Sequence, residues 1–110
     1  MLAAETGGRP AGFVWCIPRG MFGSAPYLKR IGVDPGSTGL SIGSLLMERL
    51  EQKLSTASCR ELYLLVGSEN PRAEAFYQQR GYQFIAALPD LAIEGVEERL
   101  YRKELQPLSY

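Results

Sequence analysis

The stretch from Lys29 to Leu54, KRIGVDPGSTGLSIGSLLMERLEQKL, constrains the fold more than any other part of the chain. Ile31 and Val33 supply strand-forming apolar content, and Asp34-Pro35-Gly36 stops the strand. Gly36, Gly39 and Gly43 follow in a loop whose backbone can approach another group closely. From Ile42 the apolar spacing turns helical. Ile42, Leu45, Leu46, Leu50 and Leu54 fall on one face, and Glu48, Glu51, Gln52 and Lys53 face away. A strand that turns on glycines into a helix start aims free N–H groups and the positive end of a dipole at one point, which suits an anion such as phosphate. The same glycines also serve a tight βα turn that holds nothing, and the loop alone does not choose. It is neither a Walker loop nor a clean GxGxxG.

The 110 residues correspond to a single domain, residues 1–110, with enough apolar content (45%) to pack a core. Twelve basic residues balance twelve acidic ones, so no electrostatic case for nucleic acid or an anionic membrane arises. No apolar run approaches a membrane span, and the first ten residues lack a signal-peptide layout. With no histidine and only Cys16 and Cys59, a zinc site and a Ser/His/Asp triad are ruled out, and no metal is expected. Cys16 reads as a small buried residue in a reducing cytoplasm.

Along the chain, Met1 to Glu5 and Ala11 to Ile17 read as the strands of a hairpin, with Pro18 ending the second and Gly20 to Pro26 a loop. Tyr27 to Val33 returns as a third strand, antiparallel to its predecessor. After the helix, Ser55 to Ser58 is a polar break. Glu61 to Val66 (ELYLLV) is nearly continuous apolar sequence, as in a parallel strand buried on both faces. Asn70-Pro71 opens a second helix, as N-cap followed by first-turn proline, and Gly81 closes it. Tyr82 to Leu88 and Glu97 to Leu105 read as two further strands, giving an α/β chain with a mixed sheet.

Two segments carry a family likeness. VDPGSTGLSIGSLL resembles the acetyl-CoA pyrophosphate loop of the GCN5-related N-acetyltransferases (GNAT), Arg/Gln-x-x-Gly-x-Gly/Ala, with Gly43 in register, Thr38 where Arg or Gln is usual and Ser41 where the middle glycine is usual. NPRAEAFYQQRGY resembles the later helix of that family, with Asn70, Ala73, Phe76, Tyr77, Gly81 and Tyr82 in register. The resemblance implies a GNAT-like fold: antiparallel N-terminal strands, a central βαβα unit and a closing antiparallel pair, without the usual first strand and helices. It also implies acetyl transfer from acetyl-CoA, the cosubstrate, to a primary amine by direct attack.

On that basis Thr38, Gly39, Leu40, Ser41, Ile42, Gly43 and Ser44 hold the pyrophosphate. Ile31 and Val33 pair with the pantetheine arm, Asn70 contacts that arm, and Tyr77 protonates the departing thiolate. The residues alone also allow Tyr77 as core packing and Asn70 as a cap. Arg72 and Lys29 read first as solvated charge, with contact to the coenzyme's 3′-phosphate as the alternative that the resemblance offers, and Phe13 and Trp15 read as sheet core. The general base stays open between Glu5, Glu69, a water chain and none. The expected partner is a small-molecule or peptide amine. A coenzyme-binding module without turnover, and a homodimer formed through uncovered strand edges, are the alternatives.

Overall fold

The computed structural model describes residues 2–6, 9–36 and 41–106. Six strands and two helices follow in the order β1 (Leu2–Thr6), β2 (Arg9–Met21), β3 (Ala25–Val33), α1 (Ile42–Thr56), β4 (Glu61–Gly67), α2 (Pro71–Gln79), β5 (Gln83–Pro89) and β6 (Glu97–Glu104). The strands form one mixed sheet in the order β1-β2-β3-β4-β6-β5. Only the β3–β4 pairing is parallel, joined through α1; all other neighbours are antiparallel.

β2 runs through Pro18 instead of ending there. The ladder to β3 is irregular between Ile17 and Met21, so proline sits where no ladder N–H is required. The expected loop shrinks to a tight turn in which Phe22 and Gly23 both take positive φ (52° and 71°) and Ser24 N–H donates to the Met21 carbonyl at 3.0 Å. Two left-handed residues in succession match the twist of a hairpin, so the three residues between Met21 and Ala25 suffice to reverse the chain.

In α1 the buried stripe is Ile42, Leu46, Met47, Leu50 and Leu54. Leu45, expected on that face, is 42% exposed. At about 100° per residue it lies roughly 140° from the centre of the stripe, and Met47 fills the place instead. Each such burial contributes on the order of 1.5–3 kcal/mol. Glu51, expected to face solvent, lies on the border of the stripe and turns inward. Its carboxylate accepts from Tyr82 Oη at 2.7 Å, Arg80 Nη2 at 3.1 Å and Lys103 Nζ at 3.0 Å. This cluster ties α1 to the end of α2 and to β6.

β4 alternates: Leu62, Leu64 and Val66 are buried, while Tyr63 and Leu65 are half-buried. The strand is therefore not enclosed on both faces as its composition suggested. The buried set faces α1 and α2, which touch where the Phe76 ring approaches Gly43. Trp15, expected in the core, is 44% exposed; it is paired to Arg30 and neighbours the fully buried Val14 in a strand whose side chains alternate between faces. Cys16 packs at the margin of the core with burial pushing its thiol up. On β6, Tyr101 is buried against α2, donating to Glu74 and accepting from Gln78 Nε2 at 3.0 Å. Arg99 Nε lies 2.9 Å from Glu74, close enough to pair but too poorly angled for a hydrogen bond.

α2 begins as its sequence implies: the Asn70 side chain accepts from Ala73 N–H at 3.2 Å and proline opens the first turn. Gly81, at φ 92°, follows its end.

Glu51→Ala should destabilise the fold by about 2–4 kcal/mol in urea melts, because two cations and a buried phenol lose their partner together. Glu48→Ala, at an exposed position of the same helix, should change stability by no more than about 0.5 kcal/mol. Equal effects would refute the clamp. Phe22→Asn should stabilise by about 1 kcal/mol, since the phenyl ring is exposed and asparagine tolerates positive φ.

Candidate functional site

Where β3 runs beside β4 the two pair only at Tyr27–Tyr63 and Leu28–Leu64. Beyond these residues the strands part. β3 continues to Val33 with its other edge still laddered to β2, and Asp34 N–H donates to the Ala11 carbonyl at 2.7 Å. The edge of β3 toward β4 is thus left with main-chain groups that no strand takes up, and Ile31 and Val33 line the resulting gap.

Across the gap stands the start of α1. Gly36 N–H donates to Asp34 Oδ2 at 3.0 Å, closing the turn at the strand end. Ser41 is the N-cap, held in the left-handed region at φ 56°, and its side chain makes no capping bond. Among the described residues no oxygen caps the first-turn amides of α1, and no acidic side chain occupies that turn. Gly43 and Ser44 line the gap from this side. A Cβ on Gly43 would meet Phe76 at 3.6 Å, an ordinary contact, so nothing among the described residues demands glycine there.

The third wall is α2. Arg72, Ala73, Phe76 and Tyr77 follow at spacings of one, three and one, which puts them on one stripe of the helix, and Asn70 stands at its head. Together these elements enclose a cleft of about 890 Å³, within the range of small-molecule sites. Among the described residues lining it, Arg72 is the only one with an ionised side chain.

Tyr77 is 7% exposed, yet it reaches the cleft wall. Its ring is held edge-on by Phe76 (centroids 5.2 Å apart) and by Tyr82 (5.6 Å). Among the described residues its hydroxyl has no hydrogen-bond partner. Burial without a compensating donor pushes the phenol up to about 12. Tyr82 is raised as well, by burial and by the Glu51 carboxylate to which it donates. It serves as a strut behind Tyr77.

The structure thus brings Ile31, Val33, Ser41, Gly43, Ser44, Asn70 and Tyr77 around one cleft. Ile42 turns its side chain into the core and offers only its backbone to that end. Thr38, Gly39 and Leu40 lie outside the described residues. Glu69 is exposed, and its carboxylate folds so closely over Gly67 that a Cβ there would come within 2.5 Å of Oε1. Lys29 is exposed, as expected of solvated charge. Arg72 is exposed as well, and it also stands on the cleft wall. Its spacing of four before Phe76 is the signal that it shares the face of Tyr77.

Comparison with known proteins agrees with this architecture. The model of the acetyltransferase (GNAT) family matches residues 1–82. The uncharacterised protein YdhI of Bacillus subtilis is 38% identical over 60 residues, which are 54% of this chain and 38% of that protein, so the match spans well under half of its relative. Among solved structures, Ard1 of Thermoplasma volcanium superposes with a TM-score of 0.84 at 19% identity, over 94% of this chain and 69% of that one. An N-acetyltransferase of Staphylococcus aureus gives 0.82 at 19% identity, over 94% and 66%. An aminoglycoside 6′-N-acetyltransferase complexed with coenzyme A gives 0.81 at 17%, over 98% and 73%. The overall fold superposes on these structures, the family model covers most of the chain, and the chain belongs to the acetyltransferase (GNAT) family.

Proposed function

We propose that the chain transfers an acetyl group from acetyl-CoA to a primary amine by direct attack on the thioester. The observation that carries this reading is the Tyr77 phenol, buried, without a partner among the described residues and facing a gap whose opposite end is a helix N-terminus. One neighbour in the comparison holds coenzyme A, which supports the choice of ligand. The acceptor is a small-molecule or peptide amine, and a cytoplasmic setting suits the chemistry. No helix among the described residues is long and apolar enough to cross a membrane.

In this reading the diphosphate meets the first-turn amides of α1 at Ile42, Gly43 and Ser44. The pantetheine arm lies along the free edge of β3 between Ile31 and Val33, where it takes the place of the strand that β4 does not supply. An N–H of that edge polarises the thioester carbonyl. The neutral amine attacks the carbonyl carbon, the C–S bond breaks, and the sulfur leaves as a thiolate while the nitrogen gives its proton to water.

Tyr77 is protonated at every pH where an amine reacts. With its phenol at about 12 and a thiol near ~8.5, complete transfer to the thiolate is uphill by roughly three units. Its contribution is therefore a hydrogen bond to the developing charge on sulfur, strengthened by the low polarity around it.

Tyr77→Phe should lower kcat by about a hundredfold while leaving the calorimetric affinity for acetyl-CoA within about threefold. An unchanged kcat would remove Tyr77 from the reaction. Acetyl-CoA binding without release of coenzyme thiol to any amine would favour the non-catalytic module. The sign of the pH dependence follows from the raised phenol: kcat/KM should climb as the amine loses its proton and show no descending limb from Tyr77 below about pH 10. A pH–rate profile turning down near neutrality would contradict this.

A further inference from the structure

Gly32 stands between Ile31 and Val33, the two residues that line the cleft from β3. Successive side chains of a strand alternate, so with Ile31 and Val33 toward the helices, position 32 points to the opposite face of the sheet. A Cβ at Gly32 would come within 2.5 Å of Phe13 Cε1 and 3.0 Å of Cζ. The glycine thus lets the phenyl ring lie directly on the backbone of β3, and any larger residue would displace the ring. The seat is on the stretch of β3 whose edge toward β4 is free.

Other rings share this face. Phe13 pairs with Gly32 and Trp15 with Arg30, while Val14 between them is fully buried toward the helices opposite Ile31. Tyr27 and Tyr63 pair across the β3–β4 ladder just before Leu28 and Leu64, whose side chains are buried in the core on the helix side. The two tyrosines therefore stand on the helix-free face, at the closed end of the opening. Phe13, Tyr27 and Tyr63 are half-buried, and Trp15 is 44% exposed.

In the coenzyme reading the helix side of the opening is taken by the pantetheine arm. An acceptor then meets the thioester from the side that stays open, and on β2 that side presents a phenyl ring seated on β3 with an indole two residues along. Such rings gain most from a flat apolar body laid against them, and their faces also attract an ammonium.

We infer that Phe13 and Trp15 form the acceptor wall of the sheet opening and select a primary amine that carries an aromatic body. The inference deepens the acetyl-transfer reading and rests on it. Gly32 sets the position of the Phe13 ring, and Trp15 supplies the exposed surface on which the body of the acceptor lies.

Trp15 is the one tryptophan of the chain, so its emission reports on this wall directly. The test titrates 2-phenylethylamine and ethanolamine, an amine of similar basicity without a ring, into the protein saturated with coenzyme A. The ring-bearing amine should change the Trp15 emission saturably, and ethanolamine should need a concentration about tenfold higher. With acetyl-CoA, kcat/KM should favour 2-phenylethylamine by a similar factor. Trp15→Thr, which keeps a strand-forming residue, should reduce that preference roughly three- to tenfold, chiefly through KM. A merely structural role for Trp15 would move both amines together and leave the preference intact, which would overturn the inference. Equal binding and equal kcat/KM for the two amines in the wild type would also overturn it, with the acetyl-transfer reading left standing. Emission that follows protein concentration and ignores both amines would assign the face to a second copy of the chain and overturn it too. Saturable binding of 2-phenylethylamine without acetylation of either amine would support the aromatic wall and overturn the acetyl-transfer reading.

Discussion

The parting of β3 from β4 after two paired residues is the constraint on which the rest of this structure depends. A sheet that opens in its middle leaves main-chain donors and acceptors without partners, and such groups are costly when water is also excluded. The fold tolerates the opening because β3 is secured elsewhere: its other edge is laddered to β2, and its end is fixed where Asp34 N–H meets the Ala11 carbonyl. The helices then bridge what the strands leave apart. α1 and α2 touch at Gly43 and Phe76 beside the gap, and again at the Glu51 cluster away from it. Two points of contact fix one helix on the other, and thereby fix the phenol on α2 relative to the amides on α1.

Charge is distributed in keeping with that division. The ion pairs of the described residues gather on α1, α2, β4 and β6, where they hold elements together. Among the described residues the cleft keeps an apolar wall, first-turn amides without a capping oxygen and a single cation. Low polarity around Tyr77 raises its phenol and weakens it as an acid, but the same low polarity strengthens a hydrogen bond given to a charge that appears beside it. Tyr82, braced by Glu51, keeps the ring from turning away.

Much of this is legible in the residues, because local chemistry decides it. Asn70-Pro71 specifies a helix start wherever it stands, and the side chain of Asn70 caps Ala73 as its type requires. The spacing of Ala73, Phe76 and Tyr77 specifies one face, and Asp34-Pro35-Gly36 specifies a strand end. What stays hidden depends on neighbours distant in sequence. Pro18 stays within β2 because the partner strand leaves an irregular stretch opposite it. Trp15 has the composition of a core residue but lies on the face that the helices do not cover. Glu51 is polar and borders an apolar stripe, so only the arrival of Arg80, Tyr82 and Lys103 turns it inward. Arg72 stays ambiguous for a related reason: a charged side chain in a first turn reads as solvated or as a phosphate contact until α1 and β3 are set across from it.

The geometry of α2 also limits what the cleft can hold. Arg72 and Tyr77 share one wall but stand five residues apart, or about 7.5 Å along the helix axis at 1.5 Å per residue. A ligand with an anionic head, an extended arm and a reactive far end suits a wall that carries the cation at one position and the phenol further along the helix. The free edge of β3, running from the α1 end of the gap back toward its pairing with β4, offers main-chain groups to the length between them. A thioester carried on a long amide-bearing arm from a phosphorylated head has that form, and the amides of such an arm match what an unpaired strand edge lacks.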